Sequence, residues 1–369
     1  MNLTITKEQL IIGLQTVQNI VGARTTLPIL SNVLLRAYDD KLELTATDLE
    51  ISISCVVGAK VTTPGSATVP VKKLFGIVRE LANNEIELEV NEKNVCMIRS
   101  GTSFYKINGL SAEDFPPITP LTPDRRLSVS QETLRSMLKR TSFAISTDEA
   151  RYVLNGIFLS LRDHKLTMVA TDGRRLAMCD EDVDVTGANE ADLILPSKTV
   201  TEMNRLLQSK GEVEIRFSDN HVSFTLKAEN NTDVLIISKL VEGNYPNYRQ
   251  VIPAETKERV PLAREEFLHA LRRAEIMTTE KNNSVKLSFT VNHLEITANS
   301  PEVGEAKESM AINYKGPDIA IAFNPKFVLD PLNALDNDEV FLELIDELSP
   351  GVLKINGPFL YVVMPMRLT

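Results

Sequence analysis

The sequence predicts an α+β protein made of three tandem copies of one domain, each with two helices packed on a mostly antiparallel sheet. The first observation is a repeated phrase: LTATDLEISIS at residues 44–54 returns as MVATDGRRLAM at residues 168–178, with Asp48 and Asp172 separated by 124 positions. A third and weaker copy, VKLSFTVNHLEITANSPE, places Asn299 near the aspartate position. Self-similarity at so long a period indicates repeated domains rather than a solenoid.

The second observation is a pair of amphipathic patterns in each copy, which predicts two helices. Apolar residues recur at three- and four-residue spacing in TKEQLIIGLQTVQNI, SQETLRSMLKRTSFA and REEFLHALRRAEIM, where Thr6 and Ser130 are predicted N-caps. Later helices are predicted in VPVKKLFGIVREL, LPSKTVTEMNRLL and FNPKFVLDPLNAL. Pro331 is expected to kink the last helix or delay its start. The six predicted helices cover residues 6–21, 71–82, 130–142, 197–210, 264–277 and 325–335.

The third observation is the alternation of apolar and polar residues between the helices, which predicts strands. It is clear in KLELTAT, EIELEVN, EVEIRFS and EVFLELI. Two Pro-rich polar segments, at residues 115–123 and 245–258, have the composition of linkers. We therefore expect domains at residues 1–122, 123–254 and 255–369.

The cysteine and histidine positions argue against a metal site, a disulfide framework or a bound cofactor. No two of the three cysteines form a CxxC pair, and the four histidines are scattered. The N-terminal MNLTITKEQL lacks the basic start and apolar core of a signal peptide. No run of about 18 apolar residues is present, so a membrane partner is not expected. These features predict a cytoplasmic protein without cofactor or metal.

Charge is distributed unevenly between the predicted helices and the remainder of the chain. The helices hold 14 Lys and Arg against 8 Asp and Glu, whereas the remainder holds 26 basic and 42 acidic residues. Ordinary solvated helix faces would explain this split. The alternative is that the helices share one surface that faces a polyanion, because contacts to phosphate need only positive charge and reach. No base-reading motif is present, so any binding to duplex DNA should be nonspecific.

The repeated aspartates could be catalytic, as in a hydrolase that uses Asp48 or Asp172. General acid–base chemistry needs a partner within hydrogen-bond reach. The ATD phrase recurs without a His, a Cys or a second carboxylate recurring beside it, and the chain has neither a GxSxG motif nor a phosphate-binding loop. We therefore favour the alternative that both aspartates brace a turn after a strand.

Seven phrases, in this order and spacing, link the chain to a known family: RTTLPILSNVLL, LTATDLE, RYVLNGIFL, VATDGRRLA, KLVEGNYPNYRQVIP, FNPKFVLDPLNAL and YVVMPMRL. Over its whole length the chain resembles the bacterial DNA polymerase III β subunits, the sliding clamps. The resemblance implies three clamp domains per chain and a head-to-tail dimer that forms a six-domain ring. Such a ring encircles double-stranded DNA without sequence preference, tethers the polymerase and has no catalytic activity. A clamp paralogue that serves as a scaffold or a drug-resistant spare copy is the alternative.

The resemblance also implies a set of DNA contacts on the helices and loops that line the ring. The matching residues are Arg24, Arg79, Arg151, Tyr152, Lys198 and Arg205. Two positions depart from the family pattern. Ser197 stands where relatives commonly have a basic residue, and Asp148 lies in a loop that often has an uncharged polar residue.

A peptide pocket between the second and third domains is implied as well. It is expected to bind the DNA polymerase III α subunit, the clamp loader and other proteins through short peptides with a Gln and bulky apolar residues. The matching residues are Leu154, Thr171, Gly173, Arg175, Leu176, Pro246, Val251, Val362, Val363, Met364, Pro365 and Met366. The alternative is that VVMPM is only a final core strand. Gln250 and Phe327 depart from residues common in relatives.

The implied dimer contact joins the sheet edge near Ser103–Ile107 of one chain to the edge near Ile296–Ile312 of the other. Edge strands are ready templates for pairing. The matching interface residues are Lys73, Tyr105, Ile276, Met277 and Glu302, with Lys73 and Glu302 as an ion pair. Thr102 and Phe104 replace basic residues of relatives, so the contact is expected to depend more on apolar packing.

Overall fold

The computed structural model describes residues 1–22, 27–118, 121, 125–183, 190–227 and 233–367. Within them, six α-helices match the six predicted from sequence to within a few residues. They are α1 Lys7–Val17, α2 Val71–Glu80, α3 Gln131–Thr141, α4 Ser197–Leu206, α5 Arg264–Glu275 and α6 Pro325–Ala334.

The strands fall into three successive groups, one for each repeat. The first group is β1 Asn2–Thr6, β2 Asn32–Tyr38, β3 Lys41–Thr47, β4 Ile51–Gly58, β5 Lys60–Thr63, β6 Gly65–Pro70, β7 Glu85–Val90, β8 Val95–Ser100 and β9 Ser103–Asn108. The second group is β10 Arg126–Ser130, β11 Gly156–Arg162, β12 Lys165–Thr171, β13 Arg175–Asp182, β14 Ala191–Pro196, β15 Glu212–Phe217, β16 His221–Leu226 and β17 Val234–Lys239. The third group is β18 Glu258–Ala263, β19 Val285–Thr290, β20 His293–Ser300, β21 Gly304–Ala311, β22 Ile319–Phe323, β23 Glu339–Leu344, β24 Gly351–Lys354 and β25 Phe359–Val363.

Each repeat begins with a short strand, β1, β10 or β18, and not with the helix that the sequence predicted. The missed strands are only five or six residues long, and each alternates buried and exposed positions. After the leading strand, the order of helix, strands, helix and strands agrees with the sequence prediction.

The helix ends have the predicted chemistry. The Thr6 hydroxyl accepts a hydrogen bond from the Gln9 N–H at 3.2 Å, and the Ser130 hydroxyl accepts one from the Thr133 N–H at 3.0 Å. These side chains satisfy backbone donors of the first turn. Pro331 does lie inside α6, yet the helix still begins at Pro325, so its start is not delayed.

Two compact units divide the described residues, and the first comprises residues 1–135 and 201–240. It contains a five-stranded antiparallel sheet in the order β5-β1-β7-β8-β9 and an eight-stranded sheet in the order β10-β15-β16-β17-β4-β3-β2-β6. Helix α1 packs on β3 and β4, with Leu10 and Leu14 fully buried. Gly13 allows this close approach, because a Cβ there would lie 2.6 Å from Cδ1 of Leu44.

The second unit comprises residues 136–200 and 241–369. Its described strands form an eight-stranded sheet in the order β14-β11-β12-β13-β25-β24-β23-β18 and a four-stranded sheet in the order β21-β20-β19-β22. Helix α5 packs on β19, β20 and β21, with Phe267 and Leu271 fully buried. None of the described helices is long and apolar enough to cross a membrane.

Candidate functional site

The same turn follows β3 in the first repeat and β12 in the second. The Asp48 carboxylate accepts hydrogen bonds through Oδ1 from the backbone N–H groups two and three residues later, at 3.0 and 2.8 Å. The Asp172 carboxylate does the same at 2.9 and 3.1 Å. This is the local aspartate-to-backbone pattern of an Asx turn. Both aspartates therefore brace a turn, as the bracing interpretation predicted.

The residue after each aspartate adopts a left-handed backbone conformation. Gly173 has φ +83°, and Leu49, its counterpart in the first repeat, has φ +78°. The Thr171 hydroxyl accepts from the Gly173 N–H at 3.1 Å, and the Thr47 hydroxyl accepts from the Leu49 N–H at the same distance. A non-glycine residue in this region costs on the order of 1 kcal/mol, so Leu49 holds the turn under strain.

Arg175 is a buried brace beneath the second turn. Its Nε donates to Asp172 Oδ2 at 3.0 Å, Nη1 to Asp330 Oδ2 at 2.6 Å and Nη2 to the Phe143 carbonyl oxygen at 2.6 Å. The guanidinium carbon lies 4.5 Å from the centre of the Phe327 ring, and the side chain is only 6% exposed. Arg175 was predicted to line the pocket. The structure instead places it under the pocket, where it ties the turn to α6.

An apolar surface lies beside this turn. Val169, Leu176 and Val362 form its buried floor, with no more than 2% of any of them exposed. Met364 is 45% exposed and Val251 is 49% exposed. The Met364 N–H donates to the Arg174 carbonyl oxygen at 2.9 Å, which holds the residue next to the turn. A buried apolar floor beside exposed apolar side chains is the usual construction of a peptide-binding surface.

The terminal strand β25 has two different faces. Val362 belongs to the apolar floor, whereas Val363 lines a small internal cavity with Phe323, Leu353 and Tyr361. Because neighbouring strand residues point to opposite faces, only Val362 of this pair can contribute to the surface. Val363 was predicted to be a pocket residue, and its observed place is the core of the third repeat.

The other predicted pocket residues surround the floor to different degrees. Leu154 is 7% exposed, Thr171 and Pro365 are half-buried, Pro246 is exposed, and Met366 is 38% exposed. The Met366 N–H donates to the Ala322 carbonyl oxygen at 2.7 Å.

Sequence reasoning missed an aromatic cluster that supports this surface. Phe158 stacks on Tyr245 with ring centres 5.0 Å apart, and Tyr248 tilts against Phe158 at 5.9 Å. The Tyr245 hydroxyl lies 3.5 Å from the Val169 carbonyl oxygen, and burial raises the pKa of Tyr245. The two tyrosines in YPNYRQVIP were a usable signal, because a solvated linker rarely needs aromatic residues.

The predicted DNA contacts occupy different environments. Arg79, Arg151 and Tyr152 are 63%, 56% and 59% exposed, and Lys198 is also exposed. Arg24 lies outside the described residues. The four described side chains are therefore exposed enough to contact a phosphate group.

Arg205 makes more hydrogen bonds than Arg79, which binds Glu80, or Arg151, which binds the Asp172 carbonyl oxygen. Its Nη1 and Nη2 donate to the Gln15 and Thr16 carbonyl oxygens at 3.0 and 2.6 Å, and Nε donates to Glu202 at 3.0 Å. The Glu202 side chain is 7% exposed. Arg205 thus secures α4 to the end of α1 while 30% of its side chain remains exposed.

The strands predicted to pair with another chain are edge strands. Strand β9 ends the five-stranded sheet and β21 ends the four-stranded sheet. Tyr105 on β9 is 40% exposed, Ile276 after α5 is 73% exposed, and Met277 is half-buried. Lys73 and Glu302 are exposed. Within the single chain, Glu302 Oε1 lies 3.7 Å from Lys281 Nζ.

Three family models match the chain in succession. The N-terminal, central and C-terminal domains of the DNA polymerase III beta subunit match residues 1–119, 128–247 and 249–367. The chain is 37% identical to the beta sliding clamp of Chlamydia pneumoniae over 355 residues, which cover 96% of each chain. It is 36% identical to the beta sliding clamp of Pseudomonas aeruginosa, and the alignment covers 100% of both.

Solved structures agree with these matches over the full length. The crystal structure of the DNA polymerase III subunit beta from Pseudomonas aeruginosa superposes with a TM-score of 0.93 at 35% identity, covering 100% of both chains. The DNA polymerase sliding clamp from Bacillus subtilis gives 0.94 at 30% identity, again over 100% of both. With its three tandem clamp domains, the chain belongs to the family of DNA polymerase III beta subunits, the beta sliding clamps.

Proposed function

We propose that two copies of this chain close head to tail into a six-domain ring that encircles duplex DNA and gives the replicative polymerase processivity in the cytoplasm. The observation that supports it best is the pair of edge strands, β9 and β21, which end their sheets within the described residues. An unpaired edge next to exposed apolar side chains such as Tyr105 and Ile276 favours pairing with another chain. We place the domain boundaries after residues 122 and 254.

Mass in solution and retention on DNA test the ring directly. We expect a dimeric mass at micromolar concentration, retention on nicked circular DNA after loading, and release from linear DNA through its ends. A species that stays monomeric and is not retained on circular DNA would contradict the proposal. Full-length matches to proteins named beta sliding clamp favour this function over a spare paralogue.

The proposed DNA contacts are Arg24, Arg79, Arg151, Tyr152, Lys198 and Arg205. Arg205 would have to release some of its bonds to backbone oxygens and Glu202 in order to contact a phosphate. Each phosphate contact releases a counterion, so binding should fall steeply as salt rises. Replacing Arg79 and Lys198 by Ala should weaken binding for all sequences alike and lower the slope of log K against log salt by about 2. A strong preference for one DNA sequence would contradict a nonspecific lining.

The apolar surface formed by Leu176, Val362 and Met364 is the proposed docking site for the polymerase α subunit, the clamp loader and other partners. Each large apolar anchor of a bound peptide would contribute on the order of 2 kcal/mol. Met364→Ala removes exposed apolar surface without altering the core. It should therefore lower the affinity for a fluorescent peptide with one Gln and two bulky apolar residues by about tenfold. Equal affinities of wild type and mutant would show that VVMPM is only a core strand.

A further inference from the structure

The first unit contains a pocket of about 620 Å³ beside the turn at Asp48. Its walls come from the β15–β16 connection at Ser218, Asn220 and His221 and from three further segments: the turn at Asp48, strand β17 and the Pro-rich segment that begins at Phe115. These segments correspond to the turn at Asp172, strand β25 and the segment that begins at Tyr245, which surround the proposed partner site in the second unit.

Backbone pairing makes this correspondence exact to the residue. The Lys239 N–H donates to the Glu50 carbonyl oxygen at 2.9 Å, just as the Met364 N–H donates to the Arg174 carbonyl oxygen at 2.9 Å. Ser52 pairs with Ile237 across β4 and β17, as Leu176 pairs with Val362 across β13 and β25. The pocket is therefore a second copy of the partner site, built on the same turn and the same strand pair.

Side chains at matched positions give the two copies different chemistry. Ser52 replaces Leu176 on the floor, and Lys239 replaces Met364 at the rim. Glu50 takes the place of Arg174. At these two rim positions the first copy thus has one charge of each sign, whereas the second copy has one apolar side chain and one cation.

Leu49 gives the first copy an apolar contact that the second copy lacks. It is 45% exposed, lines the pocket, and holds φ +78° where the second copy has Gly173. The leucine thus holds a strained backbone while much of its surface faces solvent. Strain of this kind is a feature of binding sites. Ile118 and Ile237 offer further apolar surface across the pocket.

We propose that this pocket is a second peptide-docking site, for a short extended segment with one apolar anchor flanked by a carboxylate and a basic residue. The anchor would lie against Leu49, Ile118 and Ile237. The carboxylate would accept hydrogen bonds from Lys239, and the basic residue would donate to Glu50. The proposal uses the proposed partner site as its template, so the test reports on both sites separately.

The test uses the full-length protein with isotope-labelled isoleucine methyl groups and two synthetic peptides. The charged probe is acetyl-Gly-Asp-Leu-Gly-Lys-Gly-amide, and its neutral control has Asn and Gln in place of Asp and Lys. The apolar probe has one Gln and two bulky apolar residues. Ile118 and Ile237 report on the first site, and Ile252, which packs on the apolar floor, reports on the second.

We expect the charged probe to shift the Ile118 and Ile237 signals and to bind at least tenfold more tightly than its neutral control. Lys239→Glu should lower the affinity for the charged probe by tenfold or more. Added salt should also lower this affinity, because it screens the charges. Leu49→Gly should weaken it several-fold without lowering the melting temperature. If Leu49 had only a structural role, the Leu49→Gly variant would bind the charged probe as tightly as the wild type does.

The two proposals fail in different ways. If the charged probe shifts neither Ile118 nor Ile237, or binds no better than its neutral control, the second site is wrong even when the apolar probe shifts Ile252. If the apolar probe leaves Ile252 unchanged while the charged probe binds as expected, the partner site is wrong and the second site stands. Met364→Ala is the matched control, because it should weaken the apolar probe alone.

Discussion

The turns at Asp48 and Asp172 share a backbone and a set of hydrogen bonds, but the three residues after the aspartate differ, and the third of them differs most in its surroundings. The first turn leads into Ile51, which is 1% exposed in an aliphatic core. The second leads into Arg175, which binds two carboxylates and a carbonyl oxygen. The shared aspartate determines the shape of the turn. The third residue after it, Ile51 or Arg175, determines which part of the structure the turn is attached to. A rim tied to α6 through an ion pair stays in place when a partner pulls on it.

The largest expected effect comes from removing the brace. Arg175→Met removes the buried cation from Asp172 and Asp330, whose side chains are 19% and 17% exposed, and leaves Asp330 only its exposed partner Lys326. Breaking such a pair costs about 3–5 kcal/mol, which should be seen as a loss in the free energy of unfolding. Adding Asp172→Asn and Asp330→Asn to this variant should recover much of the lost free energy of unfolding. Ile51→Val in the first turn is the control, with an expected cost of about 1 kcal/mol.

A second comparison separates the turn from the ion pair. Asp48→Ala removes two hydrogen bonds to the backbone and should cost about 1–2 kcal/mol. Asp172→Ala removes the same two bonds and also the bond to Arg175, so its cost should be larger by about 1–3 kcal/mol. Urea unfolding of the two variants measures both values. Equal losses would mean that the ion pair adds nothing to the second turn.

Exchanging Leu49 and Gly173, the residues directly after the aspartates, should change the stability of the protein in opposite directions in the two turns. Gly173→Leu forces a side chain into the left-handed region and should cost about 1–2 kcal/mol. Its Cβ would also lie 2.7 Å from Arg151 Nη1, the movable end of that side chain. Leu49→Gly relieves strain and should change stability by less than about 1 kcal/mol, in the stabilising direction. Melting temperatures that fall in both variants would contradict this account of Leu49.

The smallest expected effect concerns two cysteines at matched positions, Cys55 on β4 and Cys179 on β13. Both are buried, and burial raises the pKa of each thiol, to about 11 for Cys55. Only the thiolate reacts, so at pH 8 native labelling by iodoacetamide should be slower than for a free cysteine by on the order of a hundredfold. Labelling should become complete in urea. Fast labelling of either thiol in the folded protein would show that its strand opens locally.

The repeat made most of the fold predictable. The amphipathic patterns located all six helices, and the Thr6 and Ser130 caps have the expected bonds. The leading strands were missed, because alternation over five residues, as in Leu127 and Val129 of β10, is too short to stand out beside a strong helix pattern.

The candidate site was predictable only in part. Of the residues that the resemblance implied, Leu176 belongs to the buried apolar floor and Met364 is 45% exposed beside the turn. Arg175 and Val363 do not line the surface, because an ion pair with a distant aspartate and the facing of a strand next to a core depend on tertiary structure. The engagement of Arg205 by the carbonyl oxygens of α1 depends on helix packing and has no sequence signal.

The central repeat contributes β10 and β15–β17 to the eight-stranded sheet of the first unit, and β11–β14 to that of the second. Within the second unit, β13 pairs over Arg175–Cys179 with β25, the last strand of the third repeat. A truncation at the Pro-rich segment before β18 would therefore leave β13 with unpaired backbone groups, and the product should aggregate. Copying a domain within a gene makes a new unit of inheritance. Once neighbouring copies complete each other's sheets, that unit is no longer one that folds alone, and the ancestral domain cannot be recovered by cutting the chain at its linkers.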